Sequence, residues 1–157
     1  MKTVSAITSV IFALSVGATA QAGQVLASNP QSIMDFFFEQ GIPAQLGTDS
    51  YNDPMIDYRY EGEAYSLFFY GCTDGARCDS VQFKTGHRVG GKVTLDSVNA
   101  WNAEYRFGDA YLTDNGDTNL TYDILTGAEG LSTADFSEVF GQWISMVEDF
   151  EDHIGWQ

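Results

Sequence analysis

Two cysteines, Cys72 and Cys78, are separated by five residues in the stretch FYGCTDGARCDSVQF and are the only thiols of the chain. Such a pair can bind a metal, carry electrons or close a loop. A structural zinc site takes four Cys or His ligands, and beyond these sulfurs the chain offers only His87 and His153. A thioredoxin-type pair has two intervening residues and sits at a helix start. Here the intervening residues are Thr73-Asp74-Gly75-Ala76-Arg77, and Asp-Gly between two strand-like runs is a turn signal. In an oxidising compartment this spacing predicts a Cys72–Cys78 disulfide clasping a hairpin, structural in role and worth about 2 kcal/mol by loop entropy.

The remaining reactive side chains form no catalytic signature. Gly-x-Ser-x-Gly, His-Glu-x-x-His and the phosphate-binding glycine loop are absent, and the disulfide leaves no thiol as a nucleophile. His87 follows a strand run and His153 falls in a last helical turn, where a histidine suits the helix dipole; both read as surface residues. Asp114-Asn115-Gly116-Asp117 lacks the spacing and distal glutamate of a calcium loop and reads as a hairpin turn. Asp49 and Asp53 are a carboxylate pair that hydrolysis could use, but close neighbours are expected by chance among 22 acidic residues. Glu148-Asp149 with Glu151-Asp152 reads as a solvated helix face. No catalytic, cofactor-binding or metal-ligating residue is assigned.

The compartment is read from the N-terminus. Lys2 precedes an apolar run from Val4 to Val16, and Ala18-Thr19-Ala20 and Ala20-Gln21-Ala22 follow it. This is the pattern of a secretory signal peptide, too short for the roughly 20 apolar residues of a membrane span. Cleavage after Ala22 divides the chain into a signal at 1–22 and one domain at 23–157, and cleavage after Ala20 is the alternative. The expected address is the periplasm of a Gram-negative bacterium or the medium outside the cell. Losing Lys2 leaves six basic against 22 acidic residues, a net charge of −16. Such a surface repels nucleic acid phosphates and anionic lipid heads, so the expected partner is a protein, basic at the contact. Aromatic residues at 14% speak against disorder and for a packed core.

The elements that hold these residues follow from periodicity. Asn29-Pro30 opens a first helix with Ile33, Phe36, Phe37 and Gln40 on one face, and Gly41 stops it. From Ala44 to Gly86 short alternating runs predict four antiparallel strands. Ala64–Tyr70 is apolar in both alternation sets and reads as a central strand covered on both faces. A second helix starts near Thr94, with Leu95, Val98, Trp101, Asn102 and Tyr105 at helical spacing, and ends before Gly108. A hairpin of Asp109–Thr113 and Thr118–Leu125 is expected to turn at Asn115-Gly116 in type I′ geometry. The last helix opens at Ser132, with Asp135 completing a variant capping box, and runs to about Ile154. Phe136, Val139, Phe140, Trp143, Ile144, Val147, Phe150 and Ile154 form its apolar stripe, opposite Asp135, Glu138, Gln142, Ser145, Asp149 and Asp152. The expected fold is α+β, in the order α-β-β-β-β-α-β-β-α, with helices packed on an antiparallel sheet.

The stretch Trp101-Asn102-Ala103-Glu104-Tyr105-Arg106-Phe107-Gly108-Asp109-Ala110-Tyr111-Leu112, then Gly116-Asp117, Leu120 and Asp123, resembles the signature of the YbjN-domain family. Exported members of that family also carry a Tyr-Gly-Cys-Thr-Asp-Gly turn with a second cysteine, matched here from Tyr70 to Cys78. The resemblance covers about Gln24 to Ile154. It implies a fold similar to type III secretion chaperones and a role in regulating sensory transduction, with no catalytic residue or cofactor to carry over. Trp101, Asn102, Arg106 and Phe107 match the motif and are expected to form the helix-to-strand joint, Arg106 pairing with a carboxylate. The function expected is an exported, noncatalytic protein-binding domain, chaperone-like or regulatory. An inhibitor of a cationic periplasmic enzyme and a small carboxylate-dependent hydrolase are the alternatives. Since related chaperone folds are commonly dimeric, a sheet face bearing Tyr58 and Tyr60 is expected to serve a homodimer or a partner.

Overall fold

The computed structural model describes residues 24–156; the expected signal peptide lies outside the described residues. In chain order the elements are β1 Gln24–Val25, α1 Pro30–Glu39, β2 Ala44–Thr48, β3 Pro54–Tyr60, β4 Glu63–Tyr70, β5 Ser80–His87, α2 Leu95–Glu104, β6 Asp109–Leu112, β7 Thr118–Leu125, β8 Leu131–Ser132 and α3 Thr133–Ile154. The expected α+β order is present, with β1 and β8 added to it. These two short strands pair Gln24 with Ser132 and Val25 with Leu131, and the Ala27 N–H donates to the Thr126 hydroxyl at 3.0 Å. The start of the described chain is thereby tied to the entry of α3.

Six antiparallel strands form the main sheet in the order β2-β3-β4-β5-β7-β6. Cross-strand register assigns every side chain to a face, because opposed residues point the same way. Ile56, Leu67 and Phe83 lie in one row, and Val81 with Ile124 in another, all buried under the helices. From α1, Phe37 stacks on Tyr58 at 4.8 Å; from α3, Trp143 stacks on Phe83 at 5.7 Å and donates its Nε1–H to the Tyr58 hydroxyl at 2.8 Å. Trp101 of α2 meets Phe150 of α3 edge-on. The α3 stripe is buried at Phe136, Phe140, Trp143, Val147 and Phe150, and Met146 joins it.

Among the described residues no helix lies over the other face, which corrects the reading of β4. That strand is interior, but only Tyr65, Leu67 and Phe69 are buried; Tyr70, in the opposite set, is 45% exposed. Tyr58 and Tyr60 fall on the helix side, where Tyr58 is 2% exposed and so cannot front an interface in this fold, while Tyr60 is half-buried against the core.

Turn chemistry also departs from expectation at one hairpin. Asn115 does not take a positive φ, whereas Gly116 does, at 76°. Thr113 N–H bonds Asp117 O and Gly116 N–H bonds Thr113 O, giving a three-residue loop with glycine in the left-handed position. The Thr113 hydroxyl accepts the Asp117 N–H at 3.2 Å, which favours this longer loop over the two-residue turn.

At the helix starts, Thr94 accepts the Ser97 N–H, and Ser132 accepts the Asp135 N–H while donating its hydroxyl to the Asp135 carboxylate. Asn29 occupies the cap position of α1 without a side-chain bond. The Ser32 hydroxyl instead donates to Asn29 O at 2.6 Å.

Candidate functional site

The two edges of the sheet are treated differently. At the β6 edge Asn102 of α2 acts as a substitute strand: its Nδ2 donates to Ala110 O at 3.0 Å, and its Oδ1 accepts the Ala110 N–H at 2.8 Å. Trp101 fixes α2 to the core and stacks on Tyr105 at 3.6 Å, so the joint expected from these residues is present. Arg106 differs from its expectation. Its guanidinium lies over the Phe107 ring at 4.6 Å, on the exposed joint, rather than against a carboxylate.

At the opposite edge β2 has no such cover among the described residues. Arg59 N–H bonds Pro43 O, and Asp49 N–H bonds Asp53 O, so odd-numbered residues of β2 face β3. By antiparallel alternation the backbone N–H and C=O groups of Ala44, Leu46 and Thr48 point away from the sheet. Gln45 through Thr48 are exposed, and Leu46 is 41% accessible. This is the arrangement that accepts an added strand.

Beside that edge, on the open face, a cavity of about 510 Å³ crosses β2, β3 and β4. Its floor is backbone. One bank is the row Gln45, Asp57 and Ser66, and the other is Pro43, Arg59 and Ala64. The Ser66 hydroxyl donates to Asp57 Oδ1 at 2.7 Å, and Arg59 Nη1 donates to Gly62 O at 3.0 Å.

Across β4, β5, β7 and β6 the open face carries a second group. Lys84 lies between Phe68 and Tyr111, at 5.6 and 5.8 Å from their ring centres. The Tyr70 hydroxyl donates to Gln82 Oε1, whose amide nitrogen donates to both Asp123 oxygens at 3.0 and 3.1 Å. Partial burial pushes the Tyr70 phenol up, against the pull of Lys84. Under the helices the effect is larger. Burial holds Tyr58 well above its ordinary value despite the Trp143 bond, and Tyr65 is pushed up to about 12 by burial and then by Glu151, Glu63, Glu61 and Glu148.

Cys72 and Cys78 are joined at an S–S distance of 2.10 Å around a turn in which Asp74 and Gly75 both take positive φ. Thr73 and Ala76 exchange N–H to O=C bonds across it, the pattern of a two-residue hairpin turn. Gly75 must stay small, because a Cβ there would meet Asn52 O at 2.8 Å.

That neighbouring loop employs one of the carboxylates considered for hydrolysis. Asp49 Oδ1 accepts the N–H groups of Tyr51 and Asp53, which makes it a turn cap. His87 corrects its surface reading. It is 3% exposed, and its Nε2 lies 2.8 Å from Glu151 Oε1, because β5 runs far enough to place it under α3. The same pair takes Glu151 out of the wholly solvated face expected of the acidic run. His153 contacts Ser97 of α2 at 2.9 Å. Among the described residues no group of three potential metal ligands converges.

The YbjN family model, described as "Putative bacterial sensory transduction regulator", matches residues 29–156. The chain belongs to the YbjN family. No curated protein matches it. The YbjN match spans both edges of the sheet, the groove and the cysteine turn, so every feature above lies on the family's frame rather than on an appendage. Neither the unpaired β2 edge nor the groove was found from sequence. The one signal of the groove was the alternation of Asp57 with Arg59, two opposite charges on one face of a strand.

Proposed function

We propose that this YbjN domain is an exported, noncatalytic regulator that binds a basic segment of another protein along β2. The observation that carries the reading is the contrast between the sheet edges: Asn102 covers the outward backbone groups of Ala110 on β6, while Ala44, Leu46 and Thr48 keep theirs. A strand laid on β2 would satisfy those groups, and pairing by main chain tolerates many partner sequences. Charge selects among them. His87–Glu151 is the only ion pair among the described residues, so the acidic coat is left unneutralised and attracts cations over about 8 Å in physiological salt. Export is supported by the N-terminal signal pattern and by the cysteine pair. No helix among the described residues is long and apolar enough to cross a membrane.

The test is capture from a periplasmic extract on the immobilised protein and on its Leu46→Pro variant. Proline removes an N–H that bonds nothing in the sheet, so the fold tolerates it while strand addition is blocked. A basic protein retained by the native chain, released by salt and lost on the variant supports the reading. Equal retention on both proteins overturns it. If the captured protein is an enzyme whose activity falls on binding, the regulator is an inhibitor. A concentration-dependent dimer without any partner assigns the edge to self-pairing.

A further inference from the structure

Asp57 and Arg59 occupy alternate positions of β3 and both face the open side, so their backbones are about 7 Å apart. They do not pair with each other. Each is held from the side by an uncharged group, Asp57 by the Ser66 hydroxyl and Arg59 by the Gly62 carbonyl, and each keeps capacity to spare. A carboxylate has about four acceptor positions, of which Ser66 takes one, and a guanidinium has five N–H donors, of which Gly62 O takes one. Between them runs the groove of about 510 Å³, a volume within the ordinary range for small-ligand sites. Ala64 leaves its floor low on the Arg59 bank, and the Gln45 amide stands beside Asp57 on the other.

We propose that this groove is a binding site for a small zwitterion, with the ammonium against Asp57 and the carboxylate against Arg59. A free α-amino acid and a di- or tripeptide share that chemistry. A simple anion meets Asp57 as a like charge, and a simple amine leaves Arg59 unpaired, so neither satisfies both banks. The inference goes beyond the protein-binding reading, since it concerns side chains of the open face rather than the β2 backbone. A bound zwitterion would supply a small-molecule input to a regulator.

The experiment is an amide chemical-shift titration of the purified protein at constant ionic strength. The probes are glycine, L-alanine, di-L-alanine and tri-L-alanine, with methylammonium and acetate as half-ligands. Saturable shifts confined to β2, β3 and β4 are expected from at least one zwitterion and from neither half-ligand. The rank of the alanine series then separates amino acid from peptide. Asp57→Asn and Arg59→Gln should each weaken binding by about tenfold or more, the loss of one charged hydrogen-bonding partner. Ala64→Leu, which fills the floor and leaves both charges, should block binding while the spectrum stays folded. Leu46→Pro should leave it intact, which separates this site from partner capture. The proposal fails if no zwitterion gives saturable shifts, if acetate or methylammonium alone reproduces them, or if the Asp57 and Arg59 variants bind like the native protein.

Discussion

On β4, Tyr65, Leu67 and Phe69 are buried beneath the helices, while Phe68 and Tyr70, one residue along, stand on the face that no helix of the described residues covers. The two sets differ little in residue type. They differ in what lies above them: α1 and α3 bring Phe37, Phe136, Phe140 and Trp143 onto one side, and among the described residues side chains of the sheet itself meet on the other. Apolar alternation therefore reports which side chains share a face and is silent on whether a second layer exists. The covered face holds the fold together, and the open face and its free edge remain available for binding.

The largest expected effect sets the two faces against each other. Trp143→Ala empties a fully buried site and strands the Tyr58 hydroxyl, and should cost about 3–5 kcal/mol. Phe68→Ala should stay within about 1 kcal/mol, because the ring is partly solvated already. Urea denaturation of both variants reads the difference directly. Similar losses would mean that the open face is covered in solution.

The cysteine turn is next. Replacing Cys72 and Cys78 by Ser together should cost about 2 kcal/mol and lower Tm without unfolding the domain. Intact mass after alkylation under denaturing conditions, with and without reductant, checks the bond itself. Labelling of both sulfurs without reductant would show that no clasp forms.

Most of the fold was legible in the sequence, for identifiable reasons. Helix periodicity with Thr94 and Ser132 as caps placed α2 and α3, and alternation between glycine-marked breaks placed four strands from Ala44 onward. Strands of two residues, such as β1 and β8, are too short for alternation to register. His87 was misplaced because its burial depends on α3 folding back from over 60 residues away, a contact that no local pattern encodes. The groove was illegible for the same reason, since Gln45, Asp57 and Ser66 become neighbours only through strand register. Asn102 was assigned to the right joint, but its edge-capping bonds depend on where β6 lies relative to α2.

The two edges give a finer comparison. Asn102→Ala leaves the Ala110 N–H and C=O without their partner and should cost about 1–3 kcal/mol. Leu46→Pro removes no bond within the sheet and should change stability by no more than about 0.5 kcal/mol. Thermal melts of the pair decide whether one edge is closed and the other open.

The smallest effect is one of pH. Tyr65 keeps its proton to about 12 in the fold against 10.0 for an ordinary phenol. Its contribution to stability is complete below pH 10 and is lost as pH rises through 12, because the unfolded chain ionises first. Tyr65→Phe should flatten the fall in Tm across that window. A slope unchanged by the substitution would place the alkaline loss on Tyr58 instead.

Amide hydrogen exchange along β2 tests the open-edge account most directly. In the isolated protein Gln45 and Gly47, which face β3, should be protected, while Ala44, Leu46 and Thr48 exchange freely, and a bound basic partner should slow those three. Protection of Leu46 and Thr48 in dilute, partner-free protein would contradict the account.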